Sequence, residues 1–231
     1  MERQYAIAID GPAASGKSTA AKGVSAILDF LYIDTGAMYR AFTLYMLEQG
    51  KDPKKEEDAL LLLPGFQMSE DRKGQVYLFD RNVTQRVRER DITGLVSYAC
   101  AYKAVREKLV EIQREMAKNT SVVMDGRDIG TVVLPNADLK IFQVASVEAR
   151  AKRRFLENRE KGIAGTLEEI MKDIEKRDYI DSHREHSPLR KADDAILLDT
   201  SDMTIEEEIE TIVRLFRQKV GGKWKDTEPS L

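Results

Sequence analysis

Residues 5–18 read YAIAIDGPAASGKS, and this stretch decides the fold of the chain. Its first five residues, Tyr5–Ile9, are apolar without alternation, which is typical of a strand buried on both faces of a parallel sheet. The segment Gly11–Ser18 matches the pattern G-x-x-x-x-G-K-[ST] and leads into a helix predicted from Lys17 to Leu28. A strand, a glycine-rich turn and a helix in this order predict a loop whose backbone N–H groups surround phosphate oxygens.

The side chains of this loop suit a nucleoside triphosphate with Mg²⁺. Lys17 supplies a mobile positive charge for the β- and γ-phosphates, and the Ser18 hydroxyl can hold the metal. The predicted triphosphate-binding residues are Gly11, Pro12, Ala13, Ala14, Ser15, Gly16, Lys17, Ser18 and Thr19. The loop leaves the reaction open, because GTPases, ATP-driven motors and small-molecule kinases share it.

The sequence lacks the additional motifs that GTPases and ATP-driven motors require. A GTPase needs a guanine-reading segment of the type [NT]-K-x-D, and the sequence contains none. A motor would place two adjacent carboxylates after a hydrophobic strand, whereas the run Val122–Met124 is followed by Asp125 and Gly126. A kinase for a small molecule is therefore favoured.

The composition limits the partners. The 231 residues carry 37 basic and 40 acidic side chains, a formal charge of −3, which argues against a nucleic-acid backbone as the main partner. The single cysteine, Cys100, can form neither an internal disulfide nor a zinc site, and no apolar stretch approaches the ~20 residues that span a bilayer. We therefore expect a cytoplasmic monomer with neither a nucleic acid nor a membrane as partner.

Strand and helix signals alternate along the chain and predict an α/β fold, a doubly wound parallel sheet. Further buried strands are predicted at residues 31–33, 122–124, 139–144 and 196–198. Further helices of the core are predicted at residues 37–47, 147–161 and 205–219.

One region departs from this alternation. Residues 64–87 contain short alternating apolar pieces and predict a small β-rich insert, although the Asn-Gly turn that would favour its hairpin is missing. A long amphipathic helix is predicted to follow from Ile92 to Lys118. Residues 221–231, with Trp224, are predicted to be a loose tail.

Three clusters concentrate charge beyond what a solvated surface needs. The first is Asp34–Arg40, where a strand gives way to a helix, and the second is Asp125–Thr131, at the end of another strand. Open α/β sheets bind ligands at this edge. The third consists of Arg177, Asp181 and Arg184, whose spacing places them on one helical face. Taken alone, the third cluster also fits a solvated stripe of ion pairs.

These segments together resemble the bacterial cytidylate kinases, a family of P-loop nucleoside monophosphate kinases. The resemblance rests on IDGP and GKST in the loop, YIDTGAMYR at 32–40, AVR at 104–106, MDGRDIGT at 124–131 and SPLR at 187–190. It implies transfer of the γ-phosphoryl group of ATP to CMP or dCMP, with Mg²⁺ as cofactor. It also implies a kinase core at 1–62 and 119–220, a monophosphate-binding insert at 63–118 and a helical lid at about 163–184.

The resemblance also implies roles for single residues. Lys17, Arg127 and Arg184 are the expected catalytic residues, and Asp125 is expected to hold Mg²⁺ through a water molecule. The residues expected to bind CMP are Thr35, Tyr39, Arg40, Ser97, Arg106, Arg127, Asp128, Arg177, Asp181 and Arg184. Among these, Ser97, Arg106 and Asp128 are expected to read the base, because cytosine pairs an amine donor with two acceptors.

Some alternatives stay open at this level. Arg150, Arg153 and Arg154 either form a solvated basic face or close on the ATP phosphates, and we predict Arg150 and Arg154 as ATP-binding residues. The acceptor could be UMP, AMP or a small metabolite. The chain could also be a nucleotide-dependent regulatory module that hydrolyses ATP slowly and acts on a protein or an RNA.

Overall fold

The computed structural model of the protein describes residues 3–71, 74–160 and 162–221. In chain order its elements are β1 (Ala6–Asp10), α1 (Lys17–Leu28), β2 (Leu31–Asp34), α2 (Thr35–Glu48), α3 (Glu56–Leu62), β3 (Met68–Glu70), β4 (Val76–Leu78), β5 (Arg81–Asn82), α4 (Arg90–Thr93), α5 (Val96–Ala99), α6 (Lys103–Ala117), β6 (Val122–Gly126), β7 (Leu139–Val144), α7 (Val147–Glu160), α8 (Leu167–His183), β8 (Ile196–Asp199) and α9 (Ile205–Val220). Residues 222–231 of the predicted tail, with Trp224, lie outside the described residues.

The central sheet confirms the predicted α/β class. Its five strands are all parallel, in the order β2-β6-β1-β7-β8. The strand β1 is central, and its last residue Asp10 pairs with Gly126 of β6 and with Phe142 of β7. Each of the five strands lies within two residues of its predicted position, because buried strands in parallel sheets read as continuous apolar runs.

Helices cover both faces of this sheet. Helices α1 and α9 pack together on one face, where Tyr5, Phe30 and Phe216 form an aromatic cluster with centroid distances of 5.5–6.4 Å. On the other face Ile33, Met124 and the turn at 129–133 form a second apolar cluster. None of the described helices is both long and apolar enough to cross a membrane. The two apolar clusters therefore cover both faces of the sheet.

The region after the second core strand folds around α2. A three-stranded antiparallel sheet, β3-β4-β5, and the helices α3–α6 enclose a separate apolar cluster that includes Phe42 and Leu109. The turn between β4 and β5 forms without the Asn-Gly pair. Phe79 takes the positive φ of 54° instead, and its ring packs edge-on against Tyr45 at 5.6 Å.

The predicted long helix from Ile92 to Lys118 is wrong. The chain forms α4, α5 and α6 instead, with turns at residues 94–95 and 100–102, and Tyr102 is extended. All three helices contact α2. A single straight helix would diverge from α2, so the chain must turn to bury Ile92, Val96 and Leu109 in the same cluster.

The core around α2 generates a stability prediction. Phe42 is fully buried and packs edge-on against Phe66 at 5.1 Å. Because its truncation leaves a cavity, Phe42→Ala should lower the free energy of unfolding by about 3–5 kcal/mol in urea titration. Leu61, 66% exposed on α3, offers the control, and Leu61→Ala should change it by less than about 0.5 kcal/mol. Similar losses for the two variants would contradict this assignment of the core.

Candidate active site at the carboxyl ends of the strands

A cavity of about 490 Å³ lies at the carboxyl ends of β1, β2 and β6. Its size is typical of sites that bind small molecules. The predicted site residues that line it are Ala13–Thr19, Thr35, Tyr39, Arg40, Ser97, Arg106, Asp125, Arg127, Asp128, Arg154, Arg177, Asp181 and Arg184. Gly11, Pro12 and Arg150 lie outside its wall. The structure thus brings most of the predicted residues from seven segments to one place.

The glycine-rich loop between β1 and α1 has the backbone that a phosphate cradle requires. Gly16 has a φ of 89°, a left-handed conformation that glycine adopts without strain. A side chain on Gly11 would overlap the carbonyl oxygen of Gln143, so only glycine lets the loop lie against β7. The Lys17 ammonium donates to the Pro12 carbonyl at 3.0 Å and closes the loop.

The back of this loop is supported by contacts that sequence patterns do not reveal. The Gln143 amide donates to the Ser15 carbonyl at 2.6 Å and to Glu208 at 3.1 Å. Arg153 pairs with Glu208 at 3.3 Å and also reaches the Ser15 carbonyl. Burial raises the pKa of Glu208 to about 7. Because these contacts join residues 65 and 128 positions apart, only the tertiary structure reveals them.

A hydroxyl and a carboxylate meet next to the loop. The Ser18 hydroxyl donates to one oxygen of Asp125 at 2.7 Å, and the Tyr32 hydroxyl donates to the other at 2.7 Å. Burial and the nearby charge of Asp34 raise the pKa of Asp125. The oxygen atoms of Ser18 and Asp125 are ligands of the kind that suits Mg²⁺, which takes one or two protein ligands and completes its coordination shell with water and substrate phosphates. In the described part of the chain no three His, Cys, Asp or Glu residues form a group that could hold a metal ion.

An arginine and a carboxylate pair in the part of the cavity nearest α5 and α6. Arg106 contacts Asp128 at 2.5 Å and donates to the Cys100 carbonyl at 3.1 Å. Its guanidinium lies over the ring of Tyr39, with 5.2 Å to the centroid. Both charged side chains are at most 5% exposed. Ser97 is buried in the same wall, so donors and an acceptor are held in fixed positions there.

Positive charge accumulates between this pair and the loop. Arg127 pairs with Asp181 at 2.8 Å, whereas Nε of Arg177 and Nη2 of Arg184 are buried and have no hydrogen-bond partner among the described residues. Burial and the charge of Arg127 lower the pKa of Arg177 to about 10. Buried guanidinium donors without acceptors are costly, so the cavity is suited to an anion with several oxygen atoms.

The start of α2 adds a further arginine to this wall. Asp34 accepts from the Ala37 backbone at 2.8 Å and pairs with Arg40 at 3.0 Å and with Arg88 at 3.3 Å. Although burial opposes it, the charges of Arg40 and Arg88 hold the pKa of Asp34 below its usual value. The neighbouring Thr35 hydroxyl donates to the Asp125 carbonyl at 2.7 Å. Arg88 was not predicted from sequence, and it also lines the cavity.

The three arginines of α7 differ in their surroundings. Arg154 lines the cavity and lies 3.7 Å from Glu157, and Arg153 lines the cavity as well. Arg150 instead is buried behind the loop, where it donates to the carbonyl oxygens of Ala13 and Ala145. A contact between Arg150 and ATP phosphates therefore stays a prediction, and the contacts that the structure shows are with the protein itself.

The fold and the site together define a class of protein. A phosphate-binding loop lies at the end of the central strand of a parallel sheet and faces a second anion-binding wall. This is the arrangement of a P-loop phosphotransferase. The sequence profile of the cytidylate kinases matches residues 7–218, and the chain belongs to this family. It is 51% identical to a cytidylate kinase of Listeria welshimeri over 96% of this chain and 100% of that protein. It is also 51% identical to a cytidylate kinase of Lactobacillus johnsonii over 92% of this chain and 94% of that protein.

A solved structure shares the fold at much lower sequence similarity. An uncharacterized protein from Eubacterium ventriosum superposes with a TM-score of 0.51 at 14% identity, over 94% of this chain and 99% of that chain. This likeness concerns the fold alone.

A half-buried acid of β3, Glu70, generates a pH prediction. Glu70 accepts from the Asp34 backbone at 3.3 Å, and burial and the charge of Asp34 raise its pKa from 4.5 to about 8. A carboxyl group whose pKa rises on folding favours the folded state below pH 4.5, and this contribution is lost as the pH rises towards 8. In Glu70→Gln the Tm should therefore equal that of the wild type near pH 4.5, exceed it increasingly up to pH 8, and then keep a constant difference.

Thermal unfolding between pH 4.5 and 9 measures this difference. The exposed Glu107 of α6 provides the matched control, and Glu107→Gln should follow the wild type throughout. A Glu70→Gln curve parallel to that of the wild type would show that Glu70 titrates normally in the folded protein.

Proposed function

We propose that this protein transfers the γ-phosphoryl group of ATP to CMP or dCMP, giving ADP and CDP or dCDP. Membership in the cytidylate kinase family and a cavity with two anion-binding walls support this proposal. The observation that carries the acceptor assignment is the buried pair of Arg106 and Asp128. We also propose that the protein is cytoplasmic and monomeric.

The Arg106–Asp128 pair is complementary to cytosine. The carboxylate of Asp128 would accept from the exocyclic amine, and Arg106 with Ser97 would donate to the ring nitrogen and the carbonyl. Uracil has a carbonyl in place of the amine, so two acceptors would face each other in a buried wall. A site rejects a near-isostere in this way, because its buried polar groups are left unpaired.

The arginines would hold the acceptor's phosphate. Arg40, Arg127 and Arg184 present forked donors to the space between the base pocket and the loop, with the hydroxyls of Thr35 and Tyr39 nearby. The attacking α-phosphate and the γ-phosphate are both anionic and repel each other unless cations lie between them. The catalytic contribution assigned to these residues is therefore positioning and charge neutralisation. Arg177 and Asp181 would face the sugar.

Lys17 and the loop would hold the triphosphate. Burial and the charge of Arg127 lower the pKa of Lys17 to about 7, so bound phosphates would restore its full positive charge. Mg²⁺ would be held by Ser18, and by Asp125 through water. When bound, the metal supplies charge neutralisation between the phosphates. Arg154, on the wall near the loop, is assigned to the ATP phosphates.

An acceptor panel tests the function. ADP release is measured with Mg²⁺-ATP and each of CMP, dCMP, UMP and AMP. CMP and dCMP should be phosphorylated with kcat/KM values at least 100-fold above those of UMP and AMP, since the mismatch at Asp128 penalises other bases. A preference for UMP or AMP would overturn the base assignment. ATP turnover without an acceptor that increases with RNA or protein would instead indicate the regulatory module.

The variant Asp128→Asn tests the base-reading role. Its amide can donate to the uracil carbonyl, so kcat/KM for CMP should fall about 10- to 100-fold, and the ratio of UMP to CMP activity should rise. The dissociation constant for ATP should stay within threefold, since the ion pairs of Asp128 are with Arg106 and Arg184 and not with the loop. Asp193, exposed before β8, offers the control Asp193→Asn, which should match the wild type. An unchanged UMP to CMP ratio in Asp128→Asn would exclude Asp128 as a base reader.

A further inference from the structure

Helix α8 contacts the phosphate-binding loop through the carboxylate of Asp178, beside the apolar cluster of α7 and α8 against which Ala14 packs. Asp178 accepts from the Ala13 backbone N–H at 2.9 Å with one oxygen and pairs with Nη1 of Arg150 at 2.5 Å with the other. The same Arg150 nitrogen donates to the Ala13 carbonyl at 2.8 Å. The backbone N–H of Ala13 is thus bound by Asp178, and its carbonyl oxygen by Arg150, the two members of one ion pair.

This pair is part of the interior. The Arg150 side chain is 5% exposed and the Asp178 side chain 21%, and Nε of Arg150 donates to the Ala145 carbonyl at 2.9 Å. The contact therefore joins the loop to the end of β7, to α7 and to α8. A buried guanidinium that loses its partner is strongly destabilising locally, because its charge is left uncompensated.

The contact lies where the loop geometry is most demanding. Ala14, the next residue, has a φ of 58°, which residues with a Cβ adopt only when their surroundings fix them. On α8, Arg177 and Asp181 flank Asp178 and line the cavity, whereas Asp178 and Arg150 do not. The contact of Asp178 with Ala13 therefore connects the loop to the helix that carries the cavity-lining side chains of Arg177 and Asp181.

We propose that Asp178 and Arg150 form a positioning pair, which fixes the loop at Ala13 against α8 and so sets the triphosphate relative to the acceptor. The inference rests on the proposed function. The pair acts through the Ala13 backbone, not on the substrates. A misplacement of about 1 Å at a reacting group can cost about 100-fold in rate, so a small loss of register at Ala13 is sufficient.

The variant Asp178→Ala removes the acceptor of Ala13 and leaves Arg150 unpaired. We expect KM for ATP to rise about tenfold and kcat to fall about tenfold in steady-state assays with CMP. The dissociation constant for CMP, measured by calorimetry without ATP, should stay within twofold, because neither Asp178 nor Arg150 lines the cavity. General damage to the fold would weaken the binding of both nucleotides.

Two further variants and a control sharpen the test. Asp178→Asn keeps an oxygen for the Ala13 N–H but loses the charge opposite Arg150, so its losses should be intermediate, and it decides the question if Asp178→Ala does not fold. The double variant Arg150→Ala/Asp178→Ala should lose no more than about twofold beyond the larger single loss, since the pair acts as a unit. Glu175, exposed on α8, offers the control Glu175→Gln, which should match the wild type.

Three results would overturn the positioning pair: wild-type kcat and KM for ATP in Asp178→Ala, equal losses of ATP and CMP affinity, or multiplied losses in the double variant. Failure of the wild type to phosphorylate CMP would overturn the proposed function alone. In that case titration with Mg²⁺-ATP still tests the positioning pair, because Asp178→Ala should bind Mg²⁺-ATP about tenfold more weakly than the wild type.

Discussion

Repulsion between like charges is the constraint on which the site depends. Arg127, Arg177 and Arg184 are held with Lys17 around one cavity, in a protein interior where charges are poorly screened. Asp181 and Asp128 offset part of this charge by pairing with Arg127 and Arg106. The lowered pKa values of Lys17 and Arg177 arise first from burial and then from the charge of Arg127, which agrees with an incomplete offset. A phosphorylated ligand would complete it.

This constraint accounts for the contrast between the charge of the whole chain and that of the site. The formal charge is −3, yet the cavity wall is rich in arginine. Further acidic residues lie away from the cavity, as in the first turn of α9, where Glu206 and Glu207 face the positive end of the helix dipole. Specificity for an anionic substrate thus comes from the placement of charge and not from its sum.

Much of the fold could be predicted from the sequence because its signals are local. The apolar run before Gly11 marked β1, and the glycine pattern with Lys17 marked the loop. The prediction failed where several helices share one core. The apolar positions from Ile92 to Leu109 are compatible with one long helix, and only their common packing on α2 breaks it into three.

The site shows the same division between local and distant signals. Residues in distinctive segments, such as Arg127 and Asp128, were predicted to meet at one edge of the sheet, and the structure places them in one cavity. Residues whose contacts cross the chain, such as Glu208 behind the loop, carry no local signal.

Arg150 illustrates the limit of a local pattern. Its spacing to Arg154 predicts a shared helical face and a shared ligand, and a contact of Arg150 with ATP stays a prediction. In the structure Arg150 is buried behind the loop and does not line the cavity. Its guanidinium meets the Ala13 carbonyl and Asp178 there. Spacing along a helix fixes the direction of a side chain, whereas its partner depends on what the rest of the chain places in that direction. A basic residue close to a phosphate site in sequence can therefore serve the site by holding its backbone in place.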